Sequence, residues 1–338
     1  LVMHSMTAKS RYAGRNYLFF SMGGAALAFI SLIYLMGSGT DTSFVLGGFL
    51  GDPGADNFTG YAIVFILSFV GYGAKAAIFP FSKWLTDAAI APTPVTALLH
   101  AVAVVKAGIF AVIRLTWYSF GVTYLYGTFA QHIVLAFSAF TVFYGSFMAL
   151  RTPHLKRRLA FSTISNLSYM LIAVGLMTSP GLLAALAHML FHAFSKIVLF
   201  CCVGAVFYVT GREYIYELHG CGGRMPITFA CFTITSLGLI GVPPFGNFAS
   251  KWMIGTNAMA QGGFWNIVSA SALMFSTLLT TLYLLTIIIP AWFPTDEKIM
   301  TSGKIPKDPG RLMTYPMVAT TAVYILLSFF SDNILNIM

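Results

Sequence analysis

Residues 188–196 read HMLFHAFSK, and His188, His192 and Lys196 recur there every four residues. On an α-helix that spacing stacks the three side chains on one stripe, with about 40° of drift per step. All three can hold or release a proton. Histidines at i and i+4 can also share a zinc ion, but the metalloprotease pattern needs a glutamate after the first of them. Met189 stands there and no other carboxylate is near, so no metal site is expected. A proton relay fits the stripe better, because histidine titrates at about pH 6.5 and passes protons through two distinct nitrogens.

Four lysines extend the set. Lys75, Lys106, Lys196 and Lys251 all fall within long apolar runs. A lysine at the centre of a bilayer costs about 3 kcal/mol on insertion scales, so four of them point to function. Removing a lysine from water disfavours its charged form, and a nearby charge can then switch it between forms. Lys75 reads as central between Ile63 and Phe81, too far from an end to snorkel. Lys106 is also central, with His100 two turns earlier on the same stripe. Lys251 follows a helix break. Lys83 follows another, but at the boundary of its run, and reads as an anchor. Asp87, in LTDAAIAPTPV, suits a helix terminus or a gate equally well.

The elements that must position these groups follow from composition. The chain has 338 residues, 58% of them hydrophobic and 9% charged, with a mean hydropathy of +0.81. A soluble domain carries about 25% charge. Nine runs are long and apolar: 17–36, 59–81, 94–114, 131–150, 161–178, 181–209, 226–256 with an internal break, 264–293 and 312–331. An all-α integral membrane protein with about nine transmembrane helices is expected, since a spanning helix satisfies its own backbone. The runs are continuous rather than alternating, which argues against a β-barrel.

The net charge of +9 has a topological origin. With one crossing per run, Lys9, Arg11, Arg15, Lys83, Arg151, Lys156, Arg157, Arg158, Arg212, Arg224, Lys298, Lys304, Lys307 and Arg311 share the side of residue 1, and Arg114 alone faces the other. This positive-inside bias sets the N-terminus on the cytoplasmic or matrix side. A nucleic-acid partner is not expected; lipid is. Cys201, Cys202, Cys221 and Cys231 lack metal-type spacing and read as small apolar residues. No P-loop, GxGxxG or CxxC framework occurs, so no cofactor is expected in this chain, nor redox chemistry or ATP hydrolysis by it. The opening Leu-Val-Met-His-Ser is no signal peptide, and a start at Leu1 hints at chain missing before it.

A weak internal repeat links GYGAKAAIFPFSKWL (71–85) with GLIGVPPFGNFASKWMI (238–254). Both join a Gly-rich helix, proline, phenylalanine and Ser-Lys-Trp. Pro80 should break the first helix, and Gly241, Pro243, Pro244 and Gly246 should break the second more completely. Interrupted helices at corresponding positions of two halves mark an ion path in transporters.

GAKAAIFPFSKWLTDAAIAPTPVTALLHAVAVVKAG (73–108) closely resembles the signature of antiporter-like proton-translocating subunits, as do HMLFHAFSKIVLFCCVGAV (188–206) and GGRMPITFACFTITSLGLIGVPPFGNFASKW (222–252). These occur in NADH:quinone oxidoreductase (complex I), Mrp-type Na⁺/H⁺ antiporters and membrane-bound hydrogenases. The resemblance implies two inverted five-helix repeats, each with a broken helix bearing a lysine. Lys75 and Lys251 fall on those lysines. Lys106, His192 and Lys196 fall on the connecting residues, with His100 and His188 nearby. The family's first five helices have no counterpart, so the run 17–36 matches the sixth. Residues 1–130 would then be the remainder of the first repeat, 131–293 the second, and 294–338 a C-terminal loop and last helix, within one membrane domain. The family's glutamate on its fifth helix is absent too. Lys75 would need it from another membrane subunit or from chain preceding Leu1. Trp252 after Lys251, with LLHAVAVVKAG, leans toward the Mrp-like and hydrogenase-like members.

The expected function is proton, or Na⁺/H⁺, translocation by a subunit of a multi-subunit membrane complex coupled to redox chemistry elsewhere. Alternatives are an Mrp-type antiporter without redox chemistry, or a degenerate structural subunit. The expected membrane is a bacterial or archaeal cytoplasmic membrane or the mitochondrial inner membrane.

Overall fold

The computed structural model describes residues 2–4, 6–37, 45–48, 58–294, 307–331, 333 and 335. Most of the polar connections 37–58 and 294–311, with Asp52-Pro53-Gly54, lies outside the described residues. Each apolar run carries helix: α1 Ala8–Gly37, α2 Phe58–Lys75, the short α3 Lys83–Ala88, α4 Thr93–Phe120, α5 Phe129–Arg151, α6 Leu155–Gly175, α7 Ser179–Thr210, α8 Pro226–Ile240, α9 Gly246–Gln261, α10 Phe264–Trp292 and α11 Arg311–Phe329. Six of these, α1, α4, α5, α7, α10 and α11, are long and apolar enough to cross a membrane, and α2 and α8 are apolar but shorter. Nine crossings therefore stays an expectation.

Helix α6 is the centre of the molecule and is buried almost all round. Its middle, Ser162 to Ser168, is rich in small hydroxyl residues. Small side chains let neighbouring backbones approach closely in a membrane. Their hydroxyls fold back onto the preceding turn, as Ser162 and Thr163 donate to Leu159 O, both at 2.9 Å. Around α6 pack α4, α5, α7 and α10. Arg158 was expected only as a topological positive charge. It is buried, and its guanidinium donates to Leu150 O at 3.0 Å and Thr152 O at 2.8 Å at the end of α5, and to Tyr283 O of α10 at 2.9 Å.

Helix α7 starts where Thr178 accepts from Gly181 N, with Pro180 in the first turn, and stops at Gly211 in a left-handed conformation (φ 69°). Helix α4 contains π-helical turns at Leu98–Val102 and Leu115–Phe120. Such turns recur at functional sites, and the first contains His100.

Both breaks exist, the second where it was expected and the first beginning ahead of its proline. Helix α2 ends at Lys75, five residues before Pro80, and residues 76–82 are irregular. Lys75 therefore lies at a helix C-terminus and not in the middle of a helix. There its ammonium complements the negative end of the helix dipole. Gly108 makes this possible: a Cβ there would come within 2.6 Å of Ala76 N and 2.9 Å of Lys75 C, so α4 can press against the broken end only without a side chain. In the second repeat α8 ends at Ile240, Gly241 turns with φ 95°, and α9 starts at Gly246.

Candidate functional site

Helices α4 and α7 run antiparallel, with His100 against Phe200 (ring centroids 5.0 Å apart) and Lys106 against His192. Lys106 Nζ lies 2.6 Å from His192 Nδ1. Lys106 is 7% exposed and His192 fully buried. The contact joins residues 86 apart in the chain. One turn along α7, the His188 ring stacks on His192 at 6.0 Å and 24°. His188 then connects outward on both nitrogens: Nδ1 is 2.8 Å from Ser250 Oγ on α9, and Nε2 is 3.2 Å from Asn166 Oδ1 on α6.

Ser250 adjoins Lys251. Lys251 Nζ donates to Leu239 O at 2.8 Å and Ile240 O at 3.1 Å, the carbonyls left open at the end of α8. It also lies 5.3 Å from the centre of the Tyr169 ring, a cation–π distance. An apolar groove of about 590 Å³ between α9 and α10, lined by Trp252, Met259 and Leu273 among others, opens onto Lys251.

The structure thus brings Lys106, His192, His188 and Lys251 together in a chain across α4, α7 and α9. Three expected members stand apart from it. Lys196 is fully buried but turns toward α6, where Nζ donates to Leu159 O at 3.0 Å and to Ser162 Oγ. The stripe of α7 thus fans out, with His192 reaching α4 and Lys196 reaching α6. His100 is fully buried, and neither ring nitrogen has a hydrogen-bond partner among the described residues. Lys75 is half-buried and forms no hydrogen bond or ion pair among the described residues. No carboxylate pairs with any of the four lysines among those residues. Lys83 is a surface residue bonded to Tyr12 Oη at 3.2 Å. Asp87 accepts from Asn16 Nδ2 at 3.0 Å, tying α3 to α1.

Ser250, Asn166, Ser162 and Tyr169 belong to this network and were not singled out from the sequence. Ser250 had a visible signal, its place in the repeated Ser-Lys-Trp. The others had only their polarity in an otherwise apolar helix.

Residues 1–280 match the family described as NADH:quinone oxidoreductase/Mrp antiporter, TM. NADH-quinone oxidoreductase subunit L of Mycobacterium tuberculosis (strain CDC 1551 / Oshkosh) is 35% identical over 273 residues, which is 80% of this chain and 42% of that protein. F(420)H(2) dehydrogenase subunit L of Methanosarcina mazei is 41% identical over 182 residues, 53% of this chain and 26% of that one. The chain spans less than half the length of these relatives. Among solved structures, a chain of the Mrp complex from Dietzia sp. DQ12-45-1b superposes with a TM-score of 0.84 at 20% identity, over 97% of this chain and 67% of that one. A chain of the membrane-bound sulfane sulfur reductase, an archaeal respiratory membrane complex, gives 0.83 at 24% identity, over 99% and 66%. These two structures share the fold.

Proposed function

The chain belongs to the NADH:quinone oxidoreductase/Mrp antiporter transmembrane family, and we propose on that premise that it translocates protons as an antiporter-like subunit of a larger membrane complex. It is a multi-pass membrane protein. One observation carries the reading above the others: the buried contact of Lys106 with His192. A lysine and a histidine at hydrogen-bond distance can exchange a proton without either leaving the membrane interior. His188, Ser250 and Lys251 extend that exchange to the second broken helix. Lys196 and His100 flank the path.

Lys75 is the entry point in this reading. Its missing acidic partner comes from a neighbouring membrane subunit or from chain preceding residue 1. A charge change at that partner alters the protonation of Lys75, and a proton then moves along Lys106 and His192, beside His188, to Lys251. The driving chemistry and its redox groups sit on other subunits. The N-terminus faces the cytoplasm or matrix, and residues 1–130 and 131–293 act as the two repeat halves. Trp252 after Lys251 is the observation favouring a second reading, exchange of a cation for a proton in an Mrp-type assembly. The chains that co-purify decide between them: a cluster- or flavin-bearing arm supports the first, and only small hydrophobic partners support the second.

Lys106→Ala, introduced into the whole complex and reconstituted in vesicles, is expected to slow proton translocation by about a hundredfold, the weight of one proton-transfer group, with assembly intact. Translocation at the wild-type rate would overturn the reading.

A further inference from the structure

His192 uses only one of its nitrogens. Nδ1 contacts Lys106 at 2.6 Å, while Nε2 is buried without a hydrogen-bond partner among the described residues. A histidine relays a proton by taking it on one nitrogen and losing it from the other. The geometry described so far therefore leaves the outgoing side of the relay unconnected. Both nitrogens of the neighbouring His188 are already engaged, with Ser250 and Asn166.

Among the buried side chains near the second break with the same deficit, one stands level with His192. Asn247, in the first turn of α9, is fully buried, and both its amide oxygen and its amide nitrogen lack partners among the described residues. Burying an amide without hydrogen bonds costs about 1–3 kcal/mol on mutational scales, so the pair marks a place where a small polar molecule belongs. The register of α7 against α9 brings the two to one level. His188 meets Ser250 at 2.8 Å, and further along α7 the Phe191 ring packs so closely on Gly246 that a Cβ there would lie 2.4 Å from it. The helices therefore run antiparallel, and Asn247, one turn before Ser250 and Lys251, comes opposite the turn that holds His192.

We propose that His192 Nε2 and the Asn247 amide bind an ordered water between α7 and α9, and that Asn247 is a positioning residue which hands the relay from His192 to Lys251. The proposal rests on the translocation reading above. The hydrogen bonds are consistent. When the Lys106 ammonium donates to Nδ1, the neutral imidazole carries its hydrogen on Nε2 and donates to the water oxygen, and the water donates to Asn247 Oδ1. In the transfer step, a Lys106 N–H bond breaks as Nδ1–H forms, and Nε2–H breaks as the water gains a proton. The water then yields a proton to the neutral amine of Lys251, one turn along the same face. Lys106 ends as the amine, Lys251 as the ammonium, and His192 as its other tautomer. A polar site of this kind, with two to four partners for the water, is where buried water is retained.

The test uses the assembled complex. In a density map that resolves waters, wild type should show one within hydrogen-bond reach of both His192 and Asn247. Asn247→Leu, which keeps the branching but has no polar atom, should lose that water and slow translocation by about tenfold, the weight of one hydrogen bond to a charged group. Asn247→Ser, which keeps a hydroxyl for the water, should recover most of the rate. Wild-type translocation in Asn247→Leu, or a map in which His192 Nε2 bonds directly to a protein group, would overturn the proposal. Failure of the translocation reading itself is separate: Lys106→Ala would then translocate normally whatever the map contains at Asn247.

Discussion

The two broken helices carry nearly the same residues and use them in opposite ways. Each break leaves carbonyls open at the end of the first half-helix, and in a membrane these must find donors within the protein. At the first break Trp84 adds a side-chain donor, with Nε1 donating to Ala74 O at 2.8 Å beside Ala77 N at 3.2 Å, while Lys83 faces outward to Tyr12. At the second, Lys251 supplies it, donating to Leu239 O and Ile240 O, while Trp252 is 61% exposed. The Ser-Lys-Trp triplet recurs, but lysine and tryptophan exchange places between inside and outside. The cause is register. Lys83 is the first residue of α3, after the irregular segment 76–82, whereas Lys251 lies one turn and a half into α9, after only 241–245. The lesson is that the lysine nearest each break changes side: before the first break, at Lys75, and after the second, at Lys251.

The largest effect expected from this contrast is on transport. Lys251→Ala should abolish translocation by the reconstituted complex, and Lys83→Ala, despite the matching motif, should leave it unchanged. Lys75→Ala should behave like Lys251→Ala if the proposed path holds, since Lys75 lies at its break and Lys83 faces outward. Vesicle acidification measured for the three variants in parallel decides the matter, and a loss in Lys83→Ala equal to that in Lys251→Ala would break the comparison.

The next effect is on stability and concerns how α4 is held at the first break. Gly108→Ala would drive a Cβ against the backbone of Lys75 and Ala76, and overpacking of this kind costs about 1–3 kcal/mol. The thermal midpoint of the purified protein should fall, and translocation with it, since α4 also carries Lys106. Smaller again is Trp84→Phe. It keeps an aromatic ring in contact with Tyr17 (centroids 5.2 Å) but removes the indole donor to Ala74 O, which is left with the longer bond from Ala77 N at 3.2 Å. The expected loss is about 0.5–1.5 kcal/mol, and an unchanged midpoint would mean that the bond from Ala77 N suffices for this carbonyl.

Much of the fold was legible because apolar length is a strong signal, and six helices match it directly. The titratable residues were legible too, because a lysine in an apolar run stands out. Three things were not. The end of α2 at Lys75 preceded the visible breaker, Pro80, because a chain that must kink at proline leaves the helix earlier. The π-helical turns of α4 have no sequence period of their own. The pairing of Lys106 with His192, and the turning of Lys196 toward α6, depend on the rotation of α7 between two neighbours, which no spacing within α7 encodes. Hydroxyl and amide partners such as Ser162, Asn166 and Asn247 look like ordinary small polar residues until the packing brings them to a charge.

The smallest expected effect lies outside the bilayer and contrasts the surface with the buried relay. His154, in the connection between α5 and α6, pairs with Glu213 at 3.6 Å, and the adjoining backbone forms a bridge to Tyr214. Burial holds its pKa below the usual histidine value, with the Glu213 carboxylate opposing the shift. Because the folded state binds the proton less readily than the unfolded chain, the unfolded chain takes up more protons as pH falls below about 6.5. Stability is therefore unaffected above that pH and declines as acidity carries the solution down toward the depressed folded value. The group is partly exposed, so solvent screening keeps the effect modest. A series of thermal midpoints between about pH 7 and pH 5 should slope downward in wild type and flatten in His154→Gln. An unchanged slope in that variant would mean that His154 does not carry the acid sensitivity.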